Sequence, residues 1–478
     1  MAQKLQMEHP MHADQSSRWA ISRAVVFTSM AIVFSIAAAA LSTAQEVPSD
    51  TFGQQPKIPE PQQSLLPTLN WARAEGWRED GKPTAAQGLT VKAFARDLKH
   101  PRWIYVLPNG DVLVAEAASE PGSSWNPRAI AQNMVMRSAG SITENANRIS
   151  ILRDTDGDGV ADEHGVFLEI LRQPFGMALI GDQLYVANTD SVVRFPYKTG
   201  DKKITDAGTK LVDLPVGHHW TRNILPSPDG TKLYITVGSG SNIGEKGMDI
   251  EKDRATIWEL DLPTGKTRIF ASGLRNANGM AFEPSTGALW TVVNERDEIG
   301  DDLPPDYLTS VKDGGFYGWP YSYWGKTVDE RVQPQRPDLV ATAITPDYAL
   351  GGHTASLGLA YYDGNALPSP FRGGMFIGQH GSWNRADLSG YKVIFVPFKD
   401  GAPSGMPIDV LSGFLSEDHS KSYGRPVGVT VTREGTLLVA DDVGNTVWHV
   451  TASDPNKTLP SASRPADATS GSGEGKQP

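Results

Sequence analysis

The 478-residue sequence contains no cysteine. This absence excludes thiol nucleophiles, zinc–thiolate and iron–sulfur sites, and haem attached through thioether bonds. It also excludes disulfides, so burial of apolar surface must stabilise the fold even if the protein is exported.

The sequence also has no basic stripe and few long helical patterns. Its formal net charge is −11, and its Lys and Arg residues are scattered, so a nucleic-acid partner is not expected. With 48 Gly and 34 Pro, the composition favours many short strands joined by turns. The prediction is an all-β fold.

Both ends of the chain differ from the middle. Arg18 and Arg23 precede an apolar run, residues 24–41, and Ser42-Thr43-Ala44 then forms a cleavage-type sequence, so residues 1–44 are predicted to be a secretory signal peptide. Periplasmic export is the expected outcome, and an uncleaved membrane anchor is the alternative. Residues 45–88 are Pro- and Gln-rich, with one short amphipathic stretch at 69–77, and are interpreted as a linker and lead-in. Residues 453–478 are predicted to be a disordered tail.

A degenerate unit recurs between these ends: an apolar strand, a turn with Gly, Asp or Asn, and a second apolar strand. Its six copies cover residues 104–115, 176–187, 224–236, 279–290, 358–378 and 428–440. A two-stranded unit cannot bury both of its faces alone, so repetition favours blades stacked around an axis. We therefore predict a six-bladed β-propeller over residues 89–452, with hairpins lacking radial symmetry as the alternative. The loops around the axis would hold any site.

One acidic loop has the spacing of a calcium site. Asp154, Asp156, Asp158 and Asp162 fall within nine residues, Gly159 permits a sharp bend, and the Val160 carbonyl adds an oxygen. Position 12 of an EF-hand would be Gly165 rather than Glu, so the loop is not an EF-hand. A structural calcium site is predicted here, and a solvated acidic turn is the alternative.

Candidate site residues occur just before or after the hairpins. His218 and His219 precede the third hairpin, and an imidazole can accept a proton near neutral pH. Arg275 precedes the fourth hairpin and Arg425 the sixth, whereas His380 and Arg385 follow the fifth. Guanidinium groups bind planar carboxylates in a bidentate manner, so their convergence indicates a planar anionic ligand. Salt bridges between blades are the alternative for each Arg.

These motifs resemble those of soluble aldose dehydrogenases that depend on pyrroloquinoline quinone (PQQ), most closely the L-sorbosone dehydrogenase-like branch. The resemblance covers about residues 89–450. It is carried by four segments: His218 to Arg222, Leu274 to Asn278, Asn294 to Leu303, and Gly314 to Pro320.

The resemblance implies a role for each matching position. His218 would be the general base, and Arg275, Asn276 and Asn278 would lie against PQQ, with Arg425 paired to one of its carboxylates. The backbone carbonyls of Glu295 and Arg296 would bind a Ca²⁺ that holds and polarises the quinone.

The sequence departs from the family pattern at two positions. Ser239 stands where the glucose dehydrogenases of this family carry an Asp that orients the base. The family's Lys on the fifth blade has no counterpart, and His380 or Arg385 is the nearest candidate.

The predicted function is therefore oxidation of a sugar-type alcohol or aldehyde hydrate, from an aldose or a sorbosone-like ketoaldose, with electrons passed to a soluble or membrane acceptor. Two other classes remain open: a propeller lactonase or hydrolase with a channel metal, and a binding propeller without catalysis. PQQ-dependent dye reduction, lactone hydrolysis or ligand binding alone would distinguish the three.

Overall fold

The computed structural model describes residues 49–62, 68–121 and 127–454. The predicted signal peptide lies outside the described residues, as does the predicted tail beyond Asp454. Within the described ranges, no helix is long and apolar enough to span a membrane.

Six antiparallel four-stranded units form the blades of a propeller. Blade 1 contains Pro101–Val106, Val112–Glu116, Arg148–Arg153 and Glu163–Leu168; blade 2 contains Met177–Ile180, Gln183–Ala187, Ser191–Pro196 and Thr209–Asp213; blade 3 contains Ile224–Pro226, Lys232–Val237, Thr256–Asp261 and Thr267–Ser272. Blade 4 contains Ala277–Phe282, Leu289–Val293, Pro305–Ser310 and Tyr348–Gly352; blade 5 contains Ser356–Tyr362, Gly374–Gln379, Lys392–Lys399 and Ile408–Ser412; blade 6 contains Pro426–Val431, Leu437–Asp441, Thr446–Ala452 and Leu89–Ala95. The prediction of a six-bladed β-propeller is confirmed. Each predicted hairpin corresponds to the first two strands of one blade.

The ring is closed by pairing distant parts of the chain. The outermost strand of blade 6 is Leu89–Ala95, which pairs antiparallel with Thr446–Ala452. The first strands of successive blades contact one another all the way around the axis. Because the closing strand comes from the N-terminal side, both ends of the propeller segment hold the same blade together.

The hydrophobic core is divided among the six seams between neighbouring blades. Between blades 1 and 2, for example, Trp103 and Phe167 pack with Phe175 and Leu184. Equivalent clusters fill the other five seams. Alternating apolar residues on the strands supply both faces of each blade, which is why a single blade would not be stable alone.

Glycines allow the innermost strands to approach closely. A Cβ atom on Gly279 of blade 4 would lie 2.6 Å from the Leu359 backbone nitrogen in blade 5. A Cβ atom on Gly428 of blade 6 would lie 2.7 Å from the Arg102 carbonyl oxygen in blade 1. The glycine that opens several of the predicted hairpins is thus required by packing between blades.

The remaining short elements attach to the blades. The helices are Pro127–Ser138 and Pro337–Val340, and the 3-10 turns are Ser49–Thr51, Met248–Glu251 and Ser369–Phe371. The two-residue strands are Phe52–Gly53, Arg73–Ala74, Thr84–Ala85, Gly315–Phe316, Ser322–Tyr323, Thr327–Val328, Ala402–Pro403 and Lys421–Ser422.

The described part of the segment interpreted as a linker and lead-in, residues 49–62 and 68–88, packs on the propeller. Phe52–Gly53 adds to the edge of blade 4, and Thr84–Ala85 adds to the edge of blade 5. Trp77 packs against Trp448 with ring centroids 5.4 Å apart. Backbone pairing and three aromatic contacts of the half-buried Trp77, with Phe414, Tyr423 and Trp448, hold a segment whose composition alone predicted no regular structure.

Candidate active site

Antiparallel blades bring two sets of loops to one end of the propeller. The connection entering the first strand and the loop after the second strand lie at the same end of each blade. We call this end the upper face. All predicted catalytic and cofactor residues lie on it: His218, Arg275, Asn276, Asn278, Glu295, Arg296, His380, Arg385 and Arg425.

The imidazole rings of the two adjacent histidines pack edge to face. The ring centroids of His218 and His219 are 4.7 Å apart, and the rings are inclined by 65°. His218 is exposed, and within the described part of the chain its ring makes no hydrogen bond. Protein packed around it, reinforced by the charge of Arg275, nevertheless lowers the pKa of His218 to about 4.

Ser239 orients His219 rather than His218. The Nδ1 atom of His219 lies 3.0 Å from both the carbonyl oxygen and the Oγ atom of Ser239. A carbonyl can only accept, and the Ser239 hydroxyl itself donates to the Ser241 carbonyl at 2.7 Å, so Nδ1 of His219 carries the hydrogen. The Nε2 atom of His219 therefore has a free lone pair. Burial, followed by Arg275, lowers the pKa of His219 well below its usual value, which keeps the ring neutral.

Arg275 is buried and its hydrogen-bonding capacity is used by the protein. Nη1 donates to the Glu295 carbonyl at 2.6 Å, and Nη2 donates to the Asn242 side-chain oxygen at 2.9 Å. Nε donates to the Asn242 carbonyl at 3.2 Å. Arg275 thus joins the loops of blades 3 and 4, and it occupies one of the two carbonyls that the resemblance gives to Ca²⁺.

Asp297 is a site residue that the sequence did not identify. Its carboxylate lies 3.5 Å from Arg275 Nη2 and 3.5 Å from His353 Nδ1, and it accepts a hydrogen bond from Asn384 Nδ2 at 2.7 Å. Burial opposes ionisation, but these partners outweigh it and lower the pKa of Asp297 to about 2. Asp297 in turn raises the pKa of His353, against the opposing effect of burial.

Asn276 and Asn278 each leave a buried amide oxygen without a partner among the described residues. Asn276 lies beside His219: a Cβ atom on Gly238 would meet both the Asn276 Oδ1 atom and, at 2.7 Å, the His219 Cβ atom. Asn278 donates from Nδ2 to Thr221 Oγ1 at 2.9 Å. The Asn278 amide nitrogen therefore faces the protein, and both amide oxygens lack a hydrogen-bond partner among the described residues.

Arg425 and His380 lie on the opposite side of the upper face and are hydrogen-bonded to each other. Arg425 donates from Nε to the His380 carbonyl at 2.9 Å and from Nη2 to the Gly381 carbonyl at 2.7 Å. The His380 ring lies 2.8 Å from Asp442 Oδ2. Burial, followed by Arg425, lowers the pKa of His380 to about 3, so its ring is neutral.

Asp442 links this side to blade 1. It pairs with the buried Arg102, and His100 Nε2 lies 3.4 Å away. Burial would raise the pKa of Asp442, but His380, His100 and Arg102 outweigh that effect and hold it far below its usual range. Arg102 lies shortly before the predicted first hairpin, as Arg275 and Arg425 lie before theirs, so the sequence pattern could have revealed it. In the structure it is the second residue of the strand Pro101–Val106.

Arg385, Glu295 and Arg296 complete the predicted set. Arg385 donates to Asp302 Oδ1 at 2.7 Å, while its buried Nε and Nη1 atoms have no partner among the described residues. Arg296 pairs with Asp329 at 2.7 Å through its side chain. Burial raises the pKa of the Glu295 carboxyl to about 7.

These groups form one network that runs from blade to blade. The Arg102 guanidinium lies 5.5 Å from the centre of the Trp220 ring, next to His219, and Asp442 joins Arg102 to His380. The free donors of Arg385 suit a polar, anionic guest such as PQQ, whereas the free oxygens of Asn276 and Asn278 can only accept, from an N–H or O–H group. Arg275 and Arg425 position the loops around it.

The acidic loop lies at the other end of the propeller, between the third and fourth strands of blade 1. Carboxylate oxygens of Asp154, Asp156 and Asp162 lie within 4.8 Å of one another. Asp158 is not part of this group, and its Oδ1 atom accepts a hydrogen bond from Val160 N at 2.7 Å. Three of the four predicted carboxylates therefore converge.

The loop also touches blade 6. His449 Nδ1 lies 3.1 Å from the Gly159 carbonyl, and Ala161 N donates to the Phe94 carbonyl at 2.8 Å. The loop therefore lies at the seam that closes the ring.

Fold and site together define a propeller whose upper face holds a neutral imidazole pair within a ring of buried arginines and carboxylates. The chain belongs to the TrAA12-like family, whose model matches residues 83–304 and 336–453. The resemblance to PQQ-dependent sugar dehydrogenases is likewise confirmed.

One curated relative is the PQQ-dependent pyranose dehydrogenase of Coprinopsis cinerea, which is 24% identical over 423 residues, covering 76% of this chain and 54% of the relative. The chain thus spans about half the length of that protein. The structure of the holo PQQ domain of the same enzyme matches with a TM-score of 0.63 and 20% identity, over 80% of this chain and 100% of the domain. A calcium structure of a Trichoderma reesei AA12 enzyme matches with a TM-score of 0.64 and 18% identity, over 81% of this chain and 99% of the other.

Proposed function

We propose that this protein is a PQQ- and Ca²⁺-dependent dehydrogenase that oxidises a sugar-type alcohol or aldehyde hydrate, with an aldose or a sorbosone-like ketoaldose as substrate. The observation that carries the proposal is the neutral imidazole pair on the upper face, with His219 fixed by Ser239. Membership of a family with PQQ-dependent sugar dehydrogenases supports the same reaction class.

Oxidation of an alcohol requires a base for the hydroxyl proton. The resemblance gives this role to His218, and the geometry supports either ring of the pair. His219 has the better defined geometry, because its Nδ1–H donates to Ser239 and its Nε2 lone pair is left to accept the proton. His218, exposed beside it, is placed to contact substrate.

The cofactor would be held by groups that still have unused capacity, namely Asn276, Asn278 and Arg385. PQQ would supply the two-electron acceptor for the hydride, and Ca²⁺ a Lewis acid that polarises it. The chain's own contribution is to hold these donors and acceptors rigidly, which the loop contacts of Arg275 and Arg425 achieve.

The test is reconstitution of the purified protein with PQQ and Ca²⁺, followed by dye reduction with a panel of aldoses and sorbosone. His219→Ala and His218→Ala are compared with His164→Ala, a histidine on the outer strand of blade 1. Loss of turnover by at least about a hundredfold in one imidazole variant, with PQQ binding retained, identifies the base. Full turnover in both variants would remove the imidazole pair from the mechanism.

The same assay separates the other classes. Hydrolysis of lactones in the absence of PQQ would assign the protein to the hydrolases. Tight sugar binding without dye reduction would assign it to the binding propellers.

We further propose export to the periplasm by cleavage after Ala44, with electrons delivered to a soluble or membrane carrier. The support is the charged and apolar pattern of residues 18–44. N-terminal sequencing of the protein from its native cells should begin at Gln45. A start upstream of residue 24 would indicate a retained anchor.

A further inference from the structure

The segment before the propeller crosses the upper face. We call residues 68–77 the strap. Asn70 lies against the blade 5 loop at Trp383 and Ala386, and Trp71 Nε1 donates to Ser138 Oγ in the loop of blade 1 at 3.0 Å. Arg73–Ala74 then pairs in parallel with Lys421–Ser422 ahead of blade 6. The strap thus touches loops of three blades on the face that carries the proposed site.

Asn70 contacts the loop that carries the site residues Asn384 and Arg385. Its backbone N donates to the Trp383 carbonyl at 3.2 Å, and its side-chain Nδ2 donates to the Ala386 carbonyl at 2.6 Å. These two bonds bracket Asn384 and Arg385 from the outer side. Asn70 itself is exposed, so its side chain contributes little to the core.

The inner side of the same loop is fixed to blade 4. Asn384 donates to Asp297 at 2.7 Å, Arg385 donates to Asp302 at 2.7 Å, and Ala386 N donates to Asp301 at 2.8 Å. The loop is therefore clamped between the strap and three aspartates. One of these aspartates, Asp297, also lies 3.5 Å from Arg275 Nη2, so it links the blade 5 loop to Arg275.

We propose that Asn70 is a positioning residue for the PQQ site: it fixes the blade 5 loop so that Arg385 presents its free N–H groups and Asn384 holds Asp297. This inference rests on the proposed function. It assigns part of the site to a segment outside the repeats, because a loop held from one side only would sample other conformations and bind a rigid planar ligand less well.

The test uses Asn70→Ala and Asn70→Asp in the full-length protein. Asp has the shape of Asn but lacks the Nδ2 donor, so both variants lose the bond to the Ala386 carbonyl. Gln54→Ala, an exposed change in the same N-terminal segment, is the control. PQQ affinity is measured by quenching of tryptophan fluorescence, and thermal unfolding is recorded for each protein.

Loss of one hydrogen bond that orders the loop should weaken PQQ binding about twofold to tenfold in both variants, with the unfolding temperature unchanged. Hydrogen exchange should also quicken in residues 383–386 and 297–302. Gln54→Ala should match the wild type. Wild-type affinity in both Asn70 variants would overturn the inference and leave the proposed function intact, whereas failure of the wild type to bind PQQ would overturn both.

Discussion

At the scale of single residues, the chemistry depends on which nitrogen of each imidazole carries a hydrogen. Ser239 offers His219 a carbonyl and a hydroxyl oxygen, both at 3.0 Å, in place of a carboxylate. A neutral acceptor fixes the tautomer of a ring and stabilises its charged form less than a carboxylate would. The base is therefore held in place but is weaker than one paired with an Asp.

The first prediction concerns pH. A base works only when it is deprotonated, so activity should fall as pH drops through its pKa. Since the pKa of His218 is lowered to about 4 and that of His219 lies well below its usual value, kcat/KM should stay level from neutral pH down to about pH 5. An acid limb centred above pH 6 would contradict the neutral imidazole pair described above.

The second prediction concerns Ser239. Replacing it with Asp places a carboxylate beside His219, which should stabilise the imidazolium and raise the pKa of His219 by about one unit or more. The acid limb of kcat/KM should shift to higher pH by the same amount. Ser239→Ala serves as control, since it keeps the carbonyl contact and adds no charge; an acid limb that moves equally in both variants would show that the carboxylate is not responsible.

Residue roles were only partly predictable from sequence. The imidazole pair and the Arg residues before the first strands were predicted to face one mouth of the channel, and they lie at the same end of the propeller. Asp297 and Asp442 were missed, because their partners are far away in the chain: Asn384 for Asp297 and Arg102 for Asp442. Arg275 and Arg425 donate most of their hydrogen bonds to carbonyl groups of the protein. Residue types alone do not predict this, because it depends on the geometry of the loops.

At the scale of elements, the hairpins were predictable and the strap was not. Each hairpin combines alternating apolar residues with a turn, and such local signals survive in any context. The strap pairs through two residues, Arg73–Ala74, and inserts Trp77 beside Trp448 and Asp441. Within the strap sequence, the only signs of regular structure were the amphipathic stretch and its tryptophans. The strand and ring that the strap pairs with belong to the propeller and lie far away in the sequence.

The third prediction concerns the acidic loop, which joins two strands of blade 1 and touches His449 in blade 6. If Ca²⁺ binds there, removal of calcium should lower the unfolding temperature of the PQQ-free protein, because a ligand that binds only the folded state stabilises it by mass action. Differential scanning calorimetry with calcium and with a chelator measures the shift.

A double variant, Asp154→Asn with Asp162→Asn, isolates this loop from any calcium on the upper face. It should lose the calcium-dependent shift while keeping PQQ affinity. A shift of unchanged size in the double variant would place the stabilising ion elsewhere.

At the scale of the whole molecule, stability is distributed over six seams rather than one core. The number of blades followed from counting hairpins, since a repeat with two apolar faces must pack on neighbours. Closure by Leu89–Ala95 did not follow from the count, because that strand belongs to no hairpin of its own. The alternating pattern of this strand can be assigned to blade 6 only when the other three strands of that blade are known and its fourth strand is missing.

The last prediction tests the close approach of the inner strands. Gly279→Ala places a Cβ atom 2.6 Å from the Leu359 nitrogen, so blades 4 and 5 must move apart or their strands must bend. We expect a loss of about 1–3 kcal/mol in the free energy of unfolding, as for other overpacked sites.

Gly165→Ala is the matched control: Gly165 also lies in a strand, and its nearest neighbour, Ile151 Cγ2, would be at an ordinary 3.5 Å. Because Ala is less flexible than Gly in the unfolded chain, the control should be neutral or slightly stabilising. Chemical denaturation of both variants measures the difference. If Gly279→Ala proved as stable as Gly165→Ala, the first strands of blades 4 and 5 would have space for a Cβ atom. The close approach of the blades would then not explain the recurring glycines.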